Sequence, residues 1–183
     1  LIPLGDSQRR RRFAWATWAL VAANVAAFLW ELSLGDQAAF VIAGWAVSPA
    51  EVVSLADPLR LPVQLVASLF LHAGWIHLLG NMAFLAVFGD DVEERMGGLR
   101  YLALYLLSGL VATGAQVAAT PHSEVPLVGA SGAIAGILGC FLVLFPKARL
   151  DGVLPLGCLI VPLRTRAFLF LPGWFLLQLL GVW

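Results

Sequence analysis

The sequence predicts an all-α polytopic membrane protein, and three observations predict it. Hydrophobic residues make up 61% of the 183 and charged residues only 12%, with a mean hydropathy of +0.90, whereas about a quarter of a soluble domain's residues are charged. Five apolar stretches are separated by charged or Pro/Gly-rich breaks. An isolated span in hydrocarbon must satisfy its own backbone hydrogen bonds, which selects helices. The basic residues are also unevenly placed. With the N-terminus cytoplasmic, Arg9, Arg10, Arg11, Arg12, Arg95, Arg100, Lys147, Arg149, Arg164 and Arg166 all fall on the cytoplasmic side and only Arg60 falls outside, as the positive-inside rule requires. The eleven basic and eleven acidic residues cancel, so net charge points to no nucleic-acid partner. The arginine run is not read as the start of a signal peptide, because four more spans follow and no small-residue cleavage site closes the first.

Residues 1–12 read as a basic cytoplasmic arm and 13–183 as one membrane domain. The first span, 13–30, follows the arginines and closes at Glu31. The second is placed at 68–89 within an apolar stretch that begins at Leu61. That stretch exceeds the roughly 20 residues a span needs, so its start near Pro62 is assigned to the interface. It ends at Asp90-Asp91-Val92-Glu93-Glu94, and Glu93, Glu94 and Arg95 read as a helix-end charge cluster, solvated or locally paired. The third span is 101–119, the fourth 125–146 and the fifth 167–183. Residues 152–163 are apolar but short and broken by Pro155 and Pro162, and read as an interfacial connection. The loop 35–60 is long and semi-apolar around Trp45, and is expected to lie partly in the outer interface. Trp15, Trp18, Trp30 and Trp75 fit interfacial belts. Cys140 and Cys158 have neither a metal spacing nor a disulfide framework and read as packed thiols. No internal repeat of the transporter kind is visible.

Two polar clusters interrupt the apolar spans: His77-Leu78-Leu79-Gly80-Asn81 in the second and Gly129-Ala130-Ser131-Gly132 in the fourth. Polar side chains are costly in hydrocarbon and invite a functional explanation. The second and fourth spans both run inward in this topology, so depths can be compared. Counted from Ser68, His77 lies roughly 13 Å below the outer end of its span, and counted from Val125, Ser131 lies roughly 9 Å below the end of its own. His77 and Asn81 are four apart and share a helical face. The chemistry that suits this set is acyl transfer. Ser131 would attack a carbonyl, and its own backbone N–H, the His77 imidazole and the Asn81 amide would donate to the oxyanion. Gly129 and Gly132 would remove side chains where backbone must approach substrate and neighbouring helices.

Each part has a plainer reading. Gly129-Ala130-Ser131-Gly132 followed by Gly136 also describes a small-residue helix-packing face. His77 alone could be a buried histidine bonded to a carbonyl, and Asn81 a strut between helices. The coincidence of depth and facing is what favours the catalytic reading. His72 and His122, near outer span ends, are read as structural and wet. No cofactor and no metal is expected.

Phe70-Leu71-His72-Ala73-Gly74-Trp75-Ile76-His77-Leu78-Leu79-Gly80-Asn81-Met82, then Phe88-Gly89-Asp90-Asp91-Val92-Glu93, then Gly129-Ala130-Ser131-Gly132 resemble, in order, the rhomboid intramembrane serine proteases. The resemblance runs from the first span to the fifth. It implies a rhomboid-like bundle of six core helices, of which five are present, and cleavage of the transmembrane segments of other membrane proteins within a lipid bilayer. By the same resemblance Ser131 matches the nucleophile of a Ser-His dyad, and His77 and Asn81 match the oxyanion-stabilising side chains.

The family's general base lies on a sixth span, typically an Ala-His pair among glycines, and no such segment occurs in the 183 residues. A serine hydroxyl without a base is a weak nucleophile, and using His77 as the base would remove a donor. The full-length product is therefore expected to be a protease, and the 183-residue chain alone to be inactive or nearly so. The expected location is a bacterial-type inner membrane with the N-terminus cytoplasmic. The loop 35–60 and the fifth span are the candidate gates. The alternative is a catalytically inactive rhomboid-like protein that binds transmembrane helices. A small transporter is disfavoured, because the polar residues cluster near one face and no charged pathway crosses the midplane.

Overall fold

The computed structural model describes residues 2–7, 13–156 and 159–179. Arg9 to Arg12, Cys158 and the last four residues of the fifth predicted span lie outside them. In chain order the elements are strand β1 (Ile2–Asp6), helix α1 (Trp15–Ser33), a 3₁₀ turn (Gly35–Gln37), the short helices α2 (Ala38–Trp45), α3 (Pro49–Ser54) and α4 (Leu61–Ala67), the long helices α5 (Trp75–Met96) and α6 (Gly98–Ala119), α7 (Ser131–Leu144), strands β2 (Arg149–Leu156) and β3 (Leu159–Arg166), and α8 (Ala167–Leu179). Each of the five predicted spans thus has a helix. Among the described residues α1 and α6 are by themselves long and apolar enough to cross a membrane. Helix α5 has the length, but it carries Asp90, Asp91 and Glu93 buried inside the bundle.

The molecule is a helical membrane bundle, and its surface is built for lipid. Ile76, Val143, Leu99 and Val111 are 90%, 80%, 78% and 71% exposed, which in water would be an aggregation liability. The interior is held by close packing, because lipid tails give no hydrophobic drive for helix association. The Phe88 and Phe141 rings join α5 to α7 at 4.9 Å between centroids, and Phe84 and Trp174 join α5 to α8 at 4.8 Å. Gly132 of α7 lies against Ala112 of α6, and Gly136 against Ser108. The small-residue packing face read from the sequence is therefore real, and coexists with the polar cluster. Trp15, Trp18, Trp30 and Trp75 are all exposed on the bundle exterior. Cys140 is a half-buried free thiol whose sulfur lies 3.6 Å from that of Met96.

At the end of the bundle where α5 turns into α6 through Gly97 (φ +82°), the start of α1 is locked. Ala14 supplies no side-chain cap. Instead Glu93 accepts the backbone N–H groups of Ala16 at 2.9 Å and Thr17 at 2.7 Å. These are orphan donors at the positive end of the helix dipole. Glu93 is thus a buried cap rather than a member of a solvated cluster. Arg95 sits 5.4 Å above the Phe145 ring and ties the end of α5 to that of α7.

A three-stranded antiparallel sheet ordered β1-β2-β3 is the departure from an all-helical chain. Within the stretch read as an interfacial connection, residues 152–156 and 159–163 are strand residues of β2 and β3, whose register runs from Arg149 opposite Arg166 to Leu156 opposite Leu159. In β3, half-buried Val161, Leu163 and Thr165 alternate with exposed Pro162, Arg164 and Arg166, the period of a half-buried strand. The two prolines that break the stretch are tolerated in the sheet: Pro162 lies on the edge strand β3, and Pro155 one residue from the end of β2. The predicted basic arm contributes the third strand, β1.

Candidate active site between two helix starts

The site follows from where α5 and α7 begin. The sequence suggested a fourth helix from Val125, but α7 starts at Ser131. Pro126 and Gly129 were the signal, though a proline in a first turn is compatible with a helix and so did not decide it. The preceding segment is extended: Leu127 donates its N–H to the Val47 carbonyl at 2.8 Å, and Gly129 donates to the Ser68 carbonyl at 2.9 Å. A helix of 14 residues is about 21 Å long, short of the ~30 Å hydrocarbon core. The second predicted span likewise breaks into α4, a turn over 68–74, and α5 from Trp75. His77 is the third residue of its helix and Ser131 the first of its own.

Neither start has a side-chain cap: the N-cap residues are Gly74 and Ala130. The first intrahelical bonds run from Leu78 N–H to Gly74 and from Ile134 N–H to Ala130. The N–H groups before them in each first turn have no helical acceptor, and both turns carry the positive end of a helix dipole.

Gly129 is where the two starts meet. Its φ is +116°, a conformation that side chains rarely adopt. A Cβ there would fall 2.6 Å from His77 Cε1, 2.7 Å from Nε2 and 3.6 Å from Asn81 Nδ2. Only glycine lets the backbone two residues before Ser131 pass this close to both side chains. Of the residues singled out in the sequence, His77, Asn81 and Gly129 are therefore in one place. Ser131 adjoins them along the chain, and Gly132 turns away to α6. Among the described residues no hydrogen bond joins the Ser131 hydroxyl to His77 or Asn81.

His72 was misread. It is only 3% exposed, and its ring stands 5.1 Å from that of His77. Nδ1 is 3.0 Å from the Phe70 carbonyl and Nε2 is 3.1 Å from Asn81 Nδ2. The backbone N–H of His72 donates to the Glu31 carboxylate. The nine-residue spacing to Asn81 gave no periodic signal, because the turn over 68–74 separates them.

A family model described as the Rhomboid domain matches residues 61–182. RHOMBOID-like protein 5 of Arabidopsis thaliana is 38% identical over 79 residues, which is 43% of this chain and 26% of that protein. The mitochondrial Rhomboid protein 1 of Saccharomyces cerevisiae is 29% identical over 138 residues, 73% of this chain and 37% of that protein. YdcA of Bacillus subtilis, a candidate rhomboid protease by its name, is 38% identical over 79 residues, 43% of this chain and 39% of that protein. The chain thus spans between 26% and 39% of the length of these relatives.

Proposed function

This chain belongs to the rhomboid family of integral membrane proteins, and from that premise we propose that it forms most of the core of an intramembrane serine endopeptidase acting on transmembrane segments of other proteins. Ser131 Oγ attacks the scissile carbonyl carbon, and the displaced electron pair settles on the carbonyl oxygen. Donors aimed at that developing charge lower the barrier: the Ser131 N–H at the open start of α7, the His77 imidazole and the Asn81 amide. Collapse of the intermediate breaks the C–N bond and releases the amine, and water then cleaves the acyl-enzyme.

The hydroxyl proton needs an acceptor, and the reading assigns it to a histidine on the sixth span that the family resemblance implies. His77 is kept as a donor. No metal or cofactor has a role in this scheme.

The observation that carries the reading is the approach of His77 and Asn81 to Gly129, two residues before a serine that opens an uncapped helix. A bacterial-type inner membrane with a cytoplasmic N-terminus is proposed from the basic-residue asymmetry. The test is to express the full-length gene product and the 183-residue form in membranes, and to assay both with a tagged transmembrane substrate and a fluorophosphonate serine probe. Cleavage and labelling by the full-length form, both lost in Ser131→Ala, support the reading. A full-length product that neither cleaves nor labels replaces it with a helix-binding, catalytically inactive member of the family.

A further inference from the structure

Resting on the protease reading and deepening it, the geometry points to Glu31 and His72 as positioning residues that aim the Asn81 amide at the oxyanion. Glu31 lies near the end of α1 and is 3% exposed. A buried carboxylate in a membrane bundle is costly and needs partners. Its two oxygens share one donor, the backbone N–H of His72, at 3.1 and 3.3 Å. On the same helix, Phe28 packs edge-on against Trp75 at 5.0 Å and lies 6.5 Å from the His72 ring. The end of α1 thus grips both sides of the turn over 68–74 and fixes where the His72 ring stands.

That ring decides which way the Asn81 amide faces. The Phe70 carbonyl can only accept, so the His72 nitrogen 3.0 Å from it, Nδ1, carries the hydrogen. In the neutral ring Nε2 is then bare and accepts from Asn81 Nδ2 at 3.1 Å. The amide nitrogen, not its oxygen, is therefore on the side of the site. One of its N–H bonds is used on His72. The other is free to point towards Gly129, from whose missing Cβ position Nδ2 is 3.6 Å. Turned over, Asn81 would present a carbonyl oxygen to the Nε2 lone pair and to the developing oxyanion. The helical register places Asn81 near the site. Glu31 and His72 make it a donor there.

The test uses the full-length protein in liposomes with a transmembrane substrate, and reads kcat and KM separately. Glu31→Leu and His72→Ala are expected to lower kcat about 10-fold with KM within about twofold, as a misaimed group does. Glu31→Gln keeps an acceptor oxygen for the His72 N–H and is expected to hold kcat within about threefold of the parent. The discriminating readout is the double variant. If both residues act through Asn81, adding Asn81→Ala to Glu31→Leu or His72→Ala costs no more than Asn81→Ala alone, whereas a general structural role gives multiplying losses. Multiplying losses, or parental kcat in both single variants, overturn the inference and leave Ser131 as nucleophile. Cleavage that survives Ser131→Ala overturns the protease reading itself. If Glu31→Leu does not fold, His72→Ala carries the same comparison.

Discussion

Helix α1 ends in a buried carboxylate contact on both sides of the bundle, and the two contacts are built differently. At its start, each Glu93 oxygen takes its own helical N–H, at 2.9 and 2.7 Å, and the open turn is closed. At its other end, the two Glu31 oxygens share one N–H from a turn. Beyond that turn, α5 and α7 begin with no side-chain cap at all. The orphan donors of a helix start are the same physical object in all three places. Where a carboxylate satisfies them they hold helices together, and where they stay open beside His77 and Asn81 they can bind developing negative charge. One end of the bundle closes its helix start with a carboxylate, and the other leaves its helix starts without a side-chain cap, which is the arrangement the proposed chemistry needs.

The contrast breaks most decisively at Ser131. In the full-length protein Ser131→Ala is expected to cut cleavage by about 10⁴-fold or more with the melting temperature in detergent unchanged; near-parental turnover would remove the chemical role of that end. Next in size, His77→Ala or Asn81→Ala is expected to lower kcat by about 10²-fold or more, the cost of an oxyanion donor. Gly129→Ala is expected to match that loss although every polar group remains, because its Cβ would collide with His77 at a φ of +116°; parental activity there would mean that the close approach is not used.

The opposite end should respond in the other coin. Glu93→Ala is expected to destabilise the fold by about 1–3 kcal/mol through two lost hydrogen bonds to a charged acceptor, seen as a lower melting temperature, with kcat per folded molecule unchanged. A kcat loss without a stability loss would erase the distinction between the two ends. Smallest of all, Arg164→Ala removes the exposed 2.6 Å pair with Asp151 across the hairpin and is expected to cost less than about 1 kcal/mol.

Much of the bundle is legible in the sequence because membrane helices announce themselves by composition. A helix within each of the five apolar stretches and the shared face of His77 and Asn81 follow from apolar length and the 3.6-residue period. The misreadings share one cause: a local pattern was overruled by a distant partner. The short, proline-broken stretch read as an interfacial connection carries residues 152–156 and 159–163, which the pairing of β1 with β2 and of β2 with β3 makes sheet. Glu93 sits in a run of charges that reads as solvated or locally paired, yet the start of α1 seventy-six residues earlier buries it. His72 looks wet because it lies near a span end, yet Glu31 and Asn81 enclose it.

The sequence by itself determined the solvent, the five long apolar stretches, the asymmetry of charge and the identity of the polar residues, because hydropathy and helical period are local properties of the chain. The tertiary structure decided where α7 begins, which helix starts lack a side-chain cap, that Gly129 passes close to His77, and that His72 stands beside the Asn81 amide. Those depend on contacts between residues far apart in sequence, and a carboxylate, a carbonyl or a bare ring nitrogen acquires its role only from the group placed opposite it.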